Sequence, residues 1–317
     1  MLRILLKSAS AVVTAILSVA MVSQAQQPAQ APAPAPGTAA ALVQQGQKLS
    51  HEGKQDEALA VYHKALDRDP NSYEAELGSG IALDLKGEYA EAREHFTKAL
   101  ETAPAENKAQ VQRAMALSYV FEGNPFKASE SEMLVFNARL AKNDSVGAAE
   151  ICTELARMYL EAGDPDHAYK WYKMGYETVA HKPDLTDADK NLWLFRWESA
   201  QARVAARRGQ ADEAKQHVAA AKVALDKAND PDQMRFYPYL TGYVAFYLGD
   251  FKTAIADLQK ADQHDALILA LLAQSYEKSG DAAQAKSYYG KVMESNGHSL
   301  TTAVARPMAA KKLAGGS

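Results

Sequence analysis

Apolar residues recur along this chain at three- and four-residue intervals, the spacing of a helix that buries one face, and the same helix is written more than once. The stretches DEALAVYHKALDRDP (Asp56 to Pro70) and AEAREHFTKALETAP (Ala90 to Pro104) share Ala58/Ala92, Tyr62/Phe96, Ala65/Ala99, Leu66/Leu100 and Pro70/Pro104, each pair 34 residues apart. A glycine followed five residues later by alanine extends the comparison: Gly53/Ala58, Gly87/Ala92, Gly123/Ala128, Gly163/Ala168, Gly209/Ala214, Gly249/Ala254 and Gly280/Ala285. Each glycine follows an apolar-periodic helix, where a left-handed cap is needed, and Asp, Asn or Glu commonly comes next to start another helix. Seven units of two antiparallel helices are therefore predicted.

Within each unit the residue seven before the glycine is small: Gly46, Gly80, Ala116, Ala156, Ala202, Gly242 and Ala273. Nine after it stand Tyr62, Phe96, Tyr172 and Tyr289, with Glu132 taking that place in unit three. Small residues let the paired backbones approach and large ones fill the gap to the next unit. No helix pair buries its apolar face alone, so each stacks on copies of itself. Past Gly297, Leu300, Val304 and Met308 mark a last helix, read as a capping helix bent or divided at Pro307.

This pattern resembles the tetratricopeptide repeat family. The resemblance runs from Ala39 to about Gly297, with the 34-residue period in the first two units, good matches in units four and seven, and insertions after units three to five, including AHKPDLTDADKN. It implies an all-α, right-handed α-solenoid of about seven helix-turn-helix repeats over 41–298, with residues 299–317 as capping helix and tail.

The first 25 residues carry Arg3 and Lys7, an apolar run from about Ala9 to Val22, and small residues at Ser23 and Ala25, the arrangement of a cleaved export signal. The expected location is periplasmic or secreted; a membrane anchor formed by the uncleaved signal is the alternative. Loss of this segment takes the formal charge from −4 to −6. A mildly acidic chain without a basic stripe gives no footprint for nucleic acid, and stable membrane insertion is not expected once the signal is removed. Residues 26–40, QQPAQAPAPAPGTAA, read as a semi-rigid Pro/Ala spacer.

The motifs that carry catalysis, a zinc H-E-x-x-H, a phosphate-binding glycine loop, G-x-S-x-G or paired cysteines, are not found in the sequence, and no cofactor or metal is expected. Cys152 lies on the apolar helical face of Leu155, Ala156 and Tyr159 and is read as a small core residue, while His51, His63 and His95 are read as isolated surface histidines. The acidic clusters Asp164–Asp166 and Asp184–Asp189 lack the glycine and distal Glu of a calcium loop and read as helix starts.

Stacked first helices line a concave groove, the binding face of repeat proteins. On unit six Phe236, Tyr239, Tyr243, Phe246 and Tyr247 form one helical stripe, and on unit five Arg196, Ser199, Arg203 and Arg207 form another. Core packing between units and a solvated charged face are the competing readings. The functional reading assigns Arg196, Arg203, Arg207, Phe236, Tyr239, Tyr243 and Tyr247 to a groove across units four to six, guanidinium groups holding a carboxylate while rings bury apolar side chains. Some family members clamp acidic chaperone tails with Lys and Asn; the corresponding positions here are Val43, Gln47, Leu77 and Ile81, so that specificity is not implied. The expected function is a non-enzymatic scaffold that binds a protein or peptide partner, with assistance to cell-envelope assembly implied by the resemblance. The alternatives are a self-associating structural repeat protein or an accessory subunit of an envelope enzyme.

Overall fold

A computed structural model describes residues 35–180, 182 and 184–315; the expected export signal and most of the expected spacer lie outside them. Fourteen helices pair across the seven glycines: α1 (Ala39–His51) with α2 (Gln55–Arg68), α3 (Tyr73–Lys86) with α4 (Tyr89–Thr102), α5 (Lys108–Phe121) with α6 (Pro125–Ala141), α7 (Ser145–Glu161) with α8 (Pro165–Ala180), α9 (Asp187–Arg207) with α10 (Ala211–Ala228), α12 (Tyr237–Tyr247) with α13 (Phe251–Leu258), and α14 (Ala266–Lys278) with α15 (Ala282–Met293). A four-residue helix, α11 (Pro231–Met234), precedes α12, and α16 (Leu300–Ala314) follows the last pair. Among the described residues every element is a helix, and from Ala35 on they form one compact unit.

Local chemistry explains the punctuation. All seven repeat glycines hold positive φ, between 72° and 93°, which a side chain would strain. The residue after the glycine caps the second helix at Asn124, Asp164, Asp250 and Asp281, each accepting from the backbone N–H three residues on. In the long α8–α9 connection Thr186 and Asp189 form a reciprocal capping box, the helix-start role expected of that acidic cluster.

Between helices, the small-against-large register is physical. A Cβ added to Gly46 would lie 2.5 Å from Tyr62 Cε1, one on Gly242 would lie 2.6 Å from Leu258 Cγ, and one on Gly80 would collide with the Phe96 ring. Cys152 is fully buried, as its apolar face requires. His95 corrects the expectation of an isolated surface residue: its Nδ1 pairs with Glu76 Oε2 at 2.5 Å, with both side chains nearly buried.

The final helix does more than cap unit seven. Ala305 and Ala309 pack into the core of α14 and α15, while Leu300, Ala303 and Val304 enter the core shared by α5 and α7, on the side lined by first helices. Polar anchors secure this position. His298 Nε2 pairs with Asp84 Oδ2 at 2.8 Å, Arg306 Nε donates to the Leu85 carbonyl at 3.1 Å, and Asn296 Nδ2 donates to the His51 carbonyl at 3.4 Å. The last helix thus bridges both halves of the array, and it continues through Pro307 without dividing.

Candidate functional site

Where α7, α9 and α12 come side by side, a cavity of about 380 Å³ opens between units four and six. Its lining follows the repeat register. Glu150, Arg196 and Phe236 stand thirteen residues before their glycines, Thr153, Ser199 and Tyr239 stand ten before, and Arg157 and Arg203 stand six before, so successive helices offer equivalent positions to one space. Tyr172 and Tyr176 of α8 and Trp193 and Trp197 of α9 complete an aromatic wall. The insertion containing α11 brings Phe236 to the mouth, where it is 41% exposed.

Four polar side-chain atoms of this cavity lack partners. Arg157 Nε, Tyr172 Oη, Ser199 Oγ and Tyr239 Oη are buried without a hydrogen bond, and among the described side chains the only other such atoms are the two carboxyl oxygens of Glu132. Arg203 is 9% exposed; its Nε donates to the Ser199 carbonyl at 3.3 Å and its guanidinium stacks 5.3 Å from the Tyr172 ring centre and 6.0 Å from that of Tyr239. Arg196 lies over Trp193 at 4.6 Å. Among the described residues no carboxylate is within ion-pair distance of Arg157, Arg196 or Arg203. Burial raises the pKa of Tyr172 and Tyr239, which keeps both phenols protonated at neutral pH. Burial lowers that of Arg196, with Glu150 opposing it. Such unmade bonds cost roughly 1–3 kcal/mol each, and this site concentrates them.

Four of the seven residues assigned from sequence line the cavity: Arg196, Arg203, Phe236 and Tyr239. Arg207, Tyr243 and Tyr247 do not line it. Arg207 donates to Tyr247 Oη and to the Leu160 carbonyl and lies 3.8 Å from Glu161 Oε2, and Tyr243, fully buried, donates to Glu161 Oε1 at 3.1 Å. They bind unit four to units five and six. Sequence reasoning missed Arg157 and Tyr172, although Arg157 shares the register of Arg203.

The stacked pairs, their glycine caps and their concave cavity define an α-helical repeat scaffold. The tetratricopeptide repeat family matches at residues 43–107 and again at 266–298. The chain thus carries tetratricopeptide repeats near both ends of an all-α stack of helix pairs. The sequence matches none of the curated proteins. Among solved structures it is similar to a tetratricopeptide repeat protein from Parabacteroides merdae, at 16% identity over 84% of this chain and 97% of that one, with a TM-score of 0.48. It is also similar to Pseudomonas aeruginosa PilF, at 14% identity over 80% and 97% of the two chains, with a TM-score of 0.44. Among the described residues no helix is long and apolar enough to cross a membrane.

Proposed function

We propose that this protein is an exported, non-enzymatic scaffold of the bacterial cell envelope that holds a segment of a partner protein in the cavity of units four to six. One observation carries the reading: buried polar groups on α7, α8, α9 and α12 converge without partners on an aromatic-walled space. Folding tolerates such groups where a ligand completes their bonds. The Pro/Ala spacer after the signal supplies reach, and the matched repeats belong to a family of interaction modules.

The test places a photo-crosslinking amino acid at 236, at the mouth, and at Val223, exposed on α10. Crosslinks at 236 to a defined partner segment, with none at 223, support the reading; equal capture at both positions overturns it. Fractionation with mass measurement of the mature N-terminus tests export: cleavage after Ala25 and recovery outside the cytoplasm are expected.

A further inference from the structure

The electrostatics of the cavity narrow what it holds. Glu161 acts on both Arg157 and Arg203, Asp265 acts on Arg157, and exposed Glu150 acts on Arg196. Glu154 is engaged by Arg113. The guanidinium charges are thus answered within the fold, and the occupant need not bring a charge. What remains unmade is hydrogen bonding: Arg157 Nε on α7, Tyr172 Oη on α8, Ser199 Oγ on α9 and Tyr239 Oη on α12 are buried without partners. Three of these four groups are hydroxyls, which both donate and accept. The fitting occupant is a neutral molecule with several hydroxyls, disposed so that four helices reach it together.

The walls supply the other half of the description. Trp197 and Phe236 line the same space, Phe236 at its mouth. Aromatic faces bury apolar surface and attract weakly polarised C–H groups. A pyranose ring has that pairing of properties, with hydroxyls around its edge and C–H groups on its faces. A flat aromatic ligand carries too few polar groups to reach four helices. The volume of about 380 Å³ lies near the small end of ligand pockets, which suits a mono- or disaccharide.

We propose that the cavity is a sugar-binding site for a neutral mono- or disaccharide, its hydroxyls on Arg157, Tyr172, Ser199 and Tyr239 and its C–H faces against Trp197 and Phe236. The sugar is either a free oligosaccharide or a glycan on the partner segment, and the recognising chemistry is the same. The second source rests on the scaffold reading above; the first goes beyond it. Two of the three tryptophans in the chain, Trp193 and Trp197, line the cavity, so fluorescence reports occupancy, with Trp193→Phe assigning the signal.

The probes are the methyl glycosides of glucose, galactose, mannose and N-acetylglucosamine, with maltose, cellobiose and N,N′-diacetylchitobiose. Glucuronate, N-acetyl-L-phenylalanine and 2-(hydroxymethyl)tetrahydropyran are the controls for charge and for ring stacking alone. At least one neutral sugar should bind with a Kd of about 1 mM or tighter, the affinity expected of a ligand of this size. Tyr239→Phe and Ser199→Ala remove only hydroxyls, and each should weaken that sugar about threefold to tenfold while leaving the thermal transition unchanged. No binding of any sugar at about 10 mM would overturn the assignment. So would tighter binding of glucuronate or N-acetyl-L-phenylalanine than of every neutral sugar, equal binding of the tetrahydropyran, or unchanged sugar binding in both hydroxyl variants. A segment crosslinked at 236 that carries the mass of a sugar assigns the glycan to the partner; an unmodified segment assigns a free oligosaccharide. If no sugar binds while crosslinking at 236 still captures a partner, the sugar site falls and the scaffold reading stands. If crosslinking fails while a neutral sugar binds, the sugar site stands and the partner-protein reading falls.

Discussion

Glu132 occupies the α6 position that Tyr62, Phe96, Tyr172 and Tyr289 fill in other units, and it is fully buried. Neither carboxyl oxygen has a hydrogen bond, and the nearest cation, Arg113 Nε, is 4.0 Å from Oε1. Burial, reinforced by Glu154 and opposed by Arg113, pushes its pKa from 4.5 up to about 8. A folded-state value above the unfolded one means that folding is unpenalised below pH 4.5 and loses stability as pH rises toward 8. At about 1.4 kcal/mol per unit, the cost is on the order of 1 kcal/mol at pH 5 and 3 kcal/mol at pH 7. Glu132→Gln keeps the shape and removes the titration. Urea denaturation of both proteins should therefore show the variant gaining about 2 kcal/mol on the parent between pH 5 and pH 7. A gap that stays constant across that range would refute the argument, since a lost or gained contact without a titrating carboxyl does not follow pH.

Three further outcomes follow from packing. His298→Ala removes the imidazole that pairs with buried Asp84, leaving it the bond from Ser118, and a loss of about 1–3 kcal/mol in urea is expected; no measurable change would mean that the pair does not hold α16. Gly46→Ala drives a methyl group into Tyr62 and should cost about 1–3 kcal/mol, whereas Gly290→Ala on α15, with nothing within 4 Å of the added carbon, should stabilise by about 0.5–1 kcal/mol; calorimetry of the two variants separates collision from propensity. Cys152, whose thiol burial pushes up to about 12, should resist a disulfide reagent at pH 8 in the native protein and react fully in urea.

The repeat was legible in the sequence because its constraints are local. Each glycine must be left-handed and each small residue must face a large one, and both demands are met within about thirty residues of chain. The cavity was partly legible for the same reason, since Arg196, Arg203 and Tyr239 share a helical stripe or its register equivalent in the next unit. Tyr243 shows the limit. Its register matches that of Arg157 and Arg203, but the neighbouring Glu161 draws its hydroxyl into the interface instead. No periodicity announces such a choice between two neighbours. The seating of α16 was still less accessible, because Asp84 and His298 are 214 residues apart and neither stands out from its surroundings.

That long-range seating alters how the array should come apart. An open stack of repeats is nearly one-dimensional: each unit senses its neighbours, and the terminal units fray first. Contacts from Asn296, His298 and Arg306 to His51, Asp84 and Leu85 give this stack a high-contact-order tie, whose loop must close before the last helix is rewarded. Closure makes folding slower at its final step and unfolding more concerted, because releasing either terminus first means breaking the tie. His298 and Arg306 thereby couple the stabilities of units that never touch one another.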